Sequence, residues 1–286
     1  MVRHATPLVV APVLPSADRL EILVARARLH HQPVGLDASE ETLLTVLLSF
    51  DPTEAERRAA RVVAASFIAA DCSFESAPPA ADLRSWPAET LSGLSPLGLC
   101  MVIALPAHEV TIAPKLRALV DTLRTSHQSP LIVGVATAPA DWAYCGFDGF
   151  VLAKPEQRVT DALRVFSMLA AVMAPGLMCC LDAEDFLCAL GTPTNPSQLA
   201  EAVYLVEGRS LVPASRADEQ ILSGAGGVAV MPSRCLPIST QALLVKRVRA
   251  RAQSDAALTL VAPYGLTVEP PQSRGAAEVL LLCRPT

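Results

Sequence analysis

A long helical pattern of apolar residues, Glu156 to Met173, stops at Pro175-Gly176 and is followed by two carboxylates three residues apart, Asp182 and Asp185. Proline removes a backbone donor and glycine supplies the dihedral that a turn needs, so this pair ends the helix. A second helical pattern follows, in which Asp182 fits the N-cap and Asp185 the first turn, near the positive end of the helix dipole. The stretch therefore predicts a buried helix, a sharp turn with two carboxylates and a second short helix.

Composition narrows the class of protein that can contain such a helix. Of the 286 residues 51% are apolar, only 4% are aromatic and 18% are charged, which favours an α/β protein with buried parallel strands. The net charge of −5 argues against a nucleic-acid partner, whose binding surface is normally basic. The apolar run Val165 to Leu181 contains Ser167 and the Pro-Gly pair, so we expect no insertion into a membrane. Eight cysteines without a CxxC pair are typical of a reducing compartment, and we expect a cytoplasmic protein.

Strand and helix patterns alternate through the first half of the chain. This alternation predicts a doubly wound, mostly parallel sheet up to residue 173. Residues 73–97 are rich in proline and serine and predict a surface excursion. The predicted strands are 7–13, 97–105, 130–136 and 149–152, and the predicted helices are 17–29, 39–48, 54–70, 115–124 and 156–173.

The second half has a different pattern, with one amphipathic helix and several strands joined by short connections. It predicts a smaller α+β layer domain. We therefore expect an α/β domain at 1–155, a central helix at 156–174 and an α+β domain at 175–286. The predicted strands are 200–206, 228–231, 257–262 and 276–283, and the predicted helix is 240–252.

Several stretches resemble the FtsZ/tubulin superfamily in the same order along the chain. L-S-G-A-G-G-V-A-V, residues 222–230, is similar to the family's L-S-G-A-R-G-V-L-V strand. P-G-L-M followed by L-D-A-E-D-F, from Pro175, is similar to its P-G-L-I-N-V-D-F-A-D-V loop with one residue inserted, and A-L-T-L-V-A-P-Y-G resembles one of its last strands. The resemblance covers most of the chain, and it implies a nucleotide-binding α/β half, a central helix and an activation domain.

The two glycine-rich loops with which that family holds phosphate have no counterpart in this sequence. Glycine lets backbone N–H groups approach phosphate oxygens closely, yet none occurs from Ala11 to Arg19. Where the family has G-G-G-T-G-[ST]-G, this chain reads P-A-H-E-V-T-I-A-P-K, residues 106–115. We therefore expect no GTP binding, no cofactor and no GTPase activity of its own. The positions that replace the phosphate loops are Pro12, Pro15, Pro106, His108, Glu109 and Pro114.

The acidic loop is partly retained. In the family an N-x-D-x-x-D loop lies over the nucleotide of the neighbouring subunit and helps to position the attacking water, and here the pattern falls on Cys180, Asp182 and Asp185. The resemblance implies that these carboxylates could act in trans on a genuine GTPase. The alternative is that they are only an N-cap and a solvated first-turn residue. No metal site is expected, since the adjacent pair His30-His31 faces two directions on a helix.

The expected function is structural. A protein of this kind without nucleotide retains two different faces, whose pairing produces a filament. The partner is either a second copy of the chain or a true FtsZ-type protein. The alternative is a small-ligand-binding protein or enzyme that uses the crevice around residues 11–19 and 105–114, at the strand ends.

Overall fold

The computed structural model describes residues 6–10, 20–29, 41–50, 96–106, 113–126, 130–138, 142–173, 186–215, 217–232, 236–261 and 276–286. These ranges contain eleven strands and three α-helices. The strands are β1 Thr6–Val10, β2 Leu20–Leu29, β3 Glu41–Phe50, β4 Pro96–Ala104, β5 Leu131–Ala136, β6 Gly149–Leu152, β7 Ser197–Glu207, β8 Ser210–Pro213, β9 Ala225–Pro232, β10 Ala257–Leu260 and β11 Ala276–Pro285. The helices are α1 Ala113–Ser126, α2 Arg158–Met173 and α3 Ile238–Arg249.

All eleven strands belong to one sheet, in the order β1-β2-β3-β4-β5-β6-β7-β11-β9-β10, with β8 paired to β7. The central run from β3 to β7 is parallel throughout. The flanking strands are largely antiparallel, except that β10 runs parallel to β9. The structure is thus a mixed α/β fold with a parallel centre, as the alternating pattern predicts.

The described side chains of β4, β5 and β6 are almost all buried on both faces of the sheet, which explains the nearly continuous apolar sequences of these strands. On one face α2 packs against alternate residues of β4 and β5, including Val102 and Val133. The intervening residues Met101, Ile103 and Ile132 are fully buried as well, and α1 contributes a separate set of buried side chains, Leu116, Leu119, Val120 and Leu123. Successive residues of a strand point to opposite faces, so Met101, Ile103 and Ile132 lie on the face of the sheet away from α2.

The last part of the chain forms a second core on β7, β11 and β9. Strand β11 lies between the other two and pairs antiparallel with both, from Ala276↔Leu205 to Cys283↔Val228. Tyr204 is fully buried there, and α3 adds its two buried residues, Leu244 and Val248. One helix therefore covers one face of this antiparallel part of the sheet.

The predicted boundary between the two halves lies within a continuous sheet. Strand β6 pairs with β7 through only two residue pairs, Val151↔Ser197 and Leu152↔Gln198. The core beneath α2 draws residues from both halves, among them Val151 and Leu282. The boundaries at 155 and 175 stay a prediction.

Two predicted helices are wrong. Residues 20–29 form β2 and residues 41–50 form β3, and the two strands pair antiparallel along their whole length, from Leu20↔Phe50 to Leu29↔Glu41. The sequence Ala-Arg-Ala-Arg at 25–28 alternates with period two, which favours a strand. Pairing with β1 and β4 on either side then outweighs the helical spacing of the leucines.

The other predicted elements that fall in described ranges are confirmed, with ends shifted by a few residues. These are the strands near 7–10, 97–105, 130–136, 149–152, 200–206, 228–231, 257–260 and 276–283 and the helices near 115–124, 156–173 and 240–249. The predicted helix 54–70 and almost all of the excursion 73–97 lie outside the described residues.

Most of the free cysteines in the described ranges are buried in the protein interior. Burial raises the pKa of the Cys100 thiol from 9.0 to about 12 and that of Cys283 to about 12. Burial keeps both thiols protonated in the folded state. The contribution of these buried thiols to the free energy of unfolding is therefore complete below pH 9 and is lost as the pH rises toward 12. At neutral pH both side chains behave as small hydrophobic residues.

A buried carboxylate pairs with an arginine beneath α3. Glu219, in the 3-10 helix Ala217–Leu222, accepts hydrogen bonds at 2.7 and 2.6 Å from Nε and Nη2 of Arg247. Arg251 lies 3.7 Å from the same carboxylate. Burial and, after it, the charge of Glu219 raise the pKa of the neighbouring Tyr204 hydroxyl. This bidentate pair joins α3 to the 3-10 helix.

Candidate functional site

The carboxyl ends of β4, β5 and β6 meet at one edge of the sheet, where α/β proteins commonly bind ligands. The backbone stays in register beyond the strands themselves. Leu105 donates its N–H to the carbonyl of Val135 at 2.8 Å, and Ala153 donates to Ala136 at 2.9 Å. In the sequence a proline follows the end of each of these strands within three residues: Pro106, Pro139 and Pro155.

Arg158 covers the end of β4. The short 3-10 helix Pro155–Gln157 follows β6 and leads directly into α2, whose first residue is Arg158. Its side chain is only 5% exposed, and Nη1 donates a 2.6 Å hydrogen bond to the carbonyl of Leu105. A protein cation therefore occupies the end of the strand from which residues 106–115 depart.

Asp161 lies one helical turn after Arg158 and is buried as well. It accepts a 2.8 Å hydrogen bond from Nη1 of Arg164 and another from the backbone N–H of Lys154. Burial raises the pKa of this carboxyl, against the opposing effects of Arg164 and Lys154. Arg164 also pairs with Glu201 of β7. The cluster ties the end of β6, the start of α2 and β7 together.

The two buried charged side chains at this edge, Arg158 and Asp161, already form hydrogen bonds with other groups of the protein. Such pairing is the usual condition for burying a charge. In the described parts of the chain, no group of three or more His, Cys, Asp or Glu side chains is placed to hold a metal ion. Nor is any helix of those parts long and apolar enough to cross a bilayer.

Two of the predicted site positions lie in described ranges. Pro106 is buried directly after Leu105, and Pro114 is exposed as the second residue of α1. Both remain candidates for replacing a phosphate loop, since proline offers no N–H. The positions Pro12, Pro15, His108, Glu109, Asp182 and Asp185 lie outside the described residues.

The segment that follows the acidic loop is firmly anchored. Residues 186–189 form a helical turn, with Ala189 N–H bonded to the Phe186 carbonyl at 3.0 Å. Phe186 is fully buried in the core beneath α2. The carbonyl of Cys188 lies against Gly227 of β9, where a Cβ would come within 1.8 Å of that oxygen. This contact makes glycine necessary at position 227.

Sequence reasoning missed Arg158 and Asp161. A signal was present, because proline favours the start of a helix and Arg158 and Asp161 follow Pro155 within six residues.

Replacing Arg158 with alanine is expected to lower the free energy of unfolding by about 2 kcal/mol, because the buried Leu105 carbonyl loses a charged donor. The matched control is Arg117→Ala. Arg117 is exposed on α1 and lies 4.0 Å from Asp121, so its loss should cost less than about 0.5 kcal/mol. Urea unfolding of the two variants measures the difference. Equal effects would show that Arg158 does not hold the strand end.

No protein-family model matches this chain, and neither does any curated protein. Among solved structures, an empty FtsZ dimer from M. jannaschii matches 80% of this chain and 68% of its own at 13% identity, with a TM-score of 0.30. A tryptophan-to-tyrosine mutant of M. jannaschii FtsZ matches 80% of this chain and 71% of its own at 14% identity, with a TM-score of 0.31.

Proposed function

We propose that this protein is a structural, FtsZ/tubulin-like subunit that assembles without binding nucleotide. The observation that carries the proposal is the absence of a glycine-rich loop in the sequence after β4, together with the contact of Arg158 at the end of that strand. None of the chain's 14 glycines lies between Gly98 and Gly134, and the Leu105 carbonyl is covered by Arg158. A phosphate cradle needs several backbone N–H groups that converge without side chains in the way. Prolines at 106 and 114 remove two of those donors.

The sequence resemblance supports the structural role. By that resemblance Asp182 and Asp185 correspond to the acidic loop with which members of the family contact a neighbouring subunit. Assembly between two different faces of one chain continues into a filament unless another protein ends it. The partner is a second copy of this chain, and a true FtsZ polymer is the second candidate.

Sedimentation of the purified protein over a concentration series, with and without GTP and Mg²⁺, tests the proposal. We expect assembly that rises with protein concentration and is unchanged by GTP, with no phosphate release. A genuine FtsZ, which assembles only with GTP, is the matched control. Assembly that requires GTP would overturn the proposal.

A second experiment distinguishes between the two candidate partners. Co-sedimentation only in the presence of FtsZ, lost on Asp182→Ala, would assign the protein to a mixed polymer through the acidic loop. A protein that stays monomeric in every condition but is stabilised thermally by a small molecule would instead support the ligand-binding alternative.

A further inference from the structure

Two of the large apolar side chains exposed in the described ranges are direct neighbours. Leu205 of β7 is 42% exposed and Val212 of β8 is 38% exposed. They are cross-strand partners, so their side chains share one face of the sheet. A contiguous exposed apolar pair is more informative than single exposed residues, which are normal on protein surfaces.

Glutamates border this apolar pair. Ala276 of β11 lies opposite Leu205 on the other side, and Glu278 lies opposite Val203. Because residues two apart in a strand share a face, Glu207 is on the same face too. We call this set the β7 patch: Val203, Leu205, Glu207, Val212, Ala276 and Glu278. Two basic residues are nearby: Arg164, which pairs with Glu201, and Arg209, in the turn between β7 and β8.

Helix α3 carries a surface of opposite character. Ile238 is 84% exposed at its first residue, and Ala242, Lys246 and Arg249 are exposed at helical spacing after it. We call these four residues the α3 stripe. Its first half is apolar and its second half is basic. Its outward direction is fixed by the buried residues Leu244 and Val248 on the inner side.

The two surfaces lie on opposite faces of the same antiparallel sheet. The core under α3 contains Tyr204, whereas Leu205, the next residue of β7, points the other way. An apolar centre with glutamates therefore faces one side of this part of the molecule, and an apolar stripe with cations faces the other.

We infer that the α3 stripe of one copy docks on the β7 patch of a second copy. Ile238 and Ala242 meet Leu205 and Val212, and Lys246 and Arg249 then extend along β7 toward Glu207, one of the two glutamates that flank the apolar pair. Complementary charge fixes the register and the partner more than it adds affinity. The two surfaces differ, so the contact is heterologous and each added copy leaves one surface free. The inference rests on the proposed self-assembly and names the surfaces through which it occurs.

Two substitutions test the contact by introducing repulsion across it while suiting their own surroundings. Leu205→Lys places a cation among glutamates of its own chain but opposes the basic half of the α3 stripe. Ile238→Glu places an anion at a helix N-terminus, where it is favourable, but opposes the glutamates of the β7 patch. Circular dichroism and thermal melting should therefore match those of the unmodified protein.

Each variant is expected to weaken self-association at least about tenfold in sedimentation velocity, since truncated or repelled central residues dominate most interfaces. An equimolar mixture of the two variants is the sharper test. In a dimer of the two, the intact α3 stripe of one variant meets the intact β7 patch of the other. The mixture should therefore stop at heterodimers, while the unmodified protein continues to larger species.

Tyr144→Lys is the matched control, since Tyr144 is 82% exposed but belongs to neither surface. It should assemble like the unmodified protein. Assembly unaffected by Leu205→Lys and Ile238→Glu would overturn the contact and leave the proposed function standing. Assembly that needs GTP but is still lost in both variants would overturn the nucleotide-free function and leave the contact standing. A monomer in every condition would overturn both.

Discussion

Replacing Gly227 with alanine is expected to lower the free energy of unfolding by about 4 kcal/mol or more. The added Cβ would lie 1.8 Å from the Cys188 carbonyl oxygen and 2.7 Å from its carbon. Both are backbone atoms, so a change of rotamer cannot relieve the clash. Either β9 or the segment around Cys188 must move, and β9 is held between β11 and β10.

Gly226→Ala provides a control in the neighbouring residue. There the closest atom to the new Cβ is Cγ2 of Thr286 at 2.9 Å, the end of an exposed side chain that can turn away. This variant should cost less than about 1 kcal/mol. Thermal unfolding separates the two, with a midpoint roughly 10 °C lower for Gly227→Ala. If both variants melt together, the contact between β9 and Cys188 does not exist in solution.

Replacing Arg247 with methionine is expected to destabilise the protein by about 3 kcal/mol. The side chain of Glu219 is 5% exposed and receives two hydrogen bonds from Arg247. Removing the arginine leaves a buried carboxylate without its main partner, and Arg251 at 3.7 Å replaces it only in part. Urea unfolding at neutral pH measures the loss.

Two further variants show whether the pairing itself is responsible. Arg251→Met removes a 51% exposed cation at longer distance and should cost no more than about 1 kcal/mol. The double variant Arg247→Met with Glu219→Leu should recover much of the stability, because an apolar replacement of a buried pair is often nearly neutral. A double variant less stable than Arg247→Met alone would contradict this explanation.

The strands that are buried on both faces were predictable from the sequence. Continuous apolar runs such as Leu131 to Ala136 indicate strands that are buried on both faces, in a chain with so few charges. Leu20–Leu29 and Glu41–Phe50 were not predictable in the same way. Each contains leucines at helical spacing, and the deciding factor is pairing with strands up to 55 residues away, as in Leu43↔Gly98.

The candidate site likewise combines features that are local in the sequence with contacts between residues far apart in it. The absence of glycine and the presence of Pro106 and Pro114 in residues 106–115 are local features that the sequence alone shows. The contact of Arg158 with Leu105 joins residues 53 positions apart, and the β7 patch needs β8 and β11 on either side of β7. Such arrangements arise from the strand order, which no local pattern contains. The acidic pair Asp182 and Asp185 stays a prediction.

The position of β11 between β7 and β9 has a consequence for synthesis on the ribosome. During translation β7, β8, β9 and α3 are synthesised before β11. The edges of β7 and β9 that pair with β11 therefore stay unpaired until residues 276–285 have left the exit tunnel. Long-range pairing of this kind closes slowly and leaves unpaired strand edges exposed to other nascent chains. The half of the sheet under α3 therefore closes only after residues 276–285 have been released.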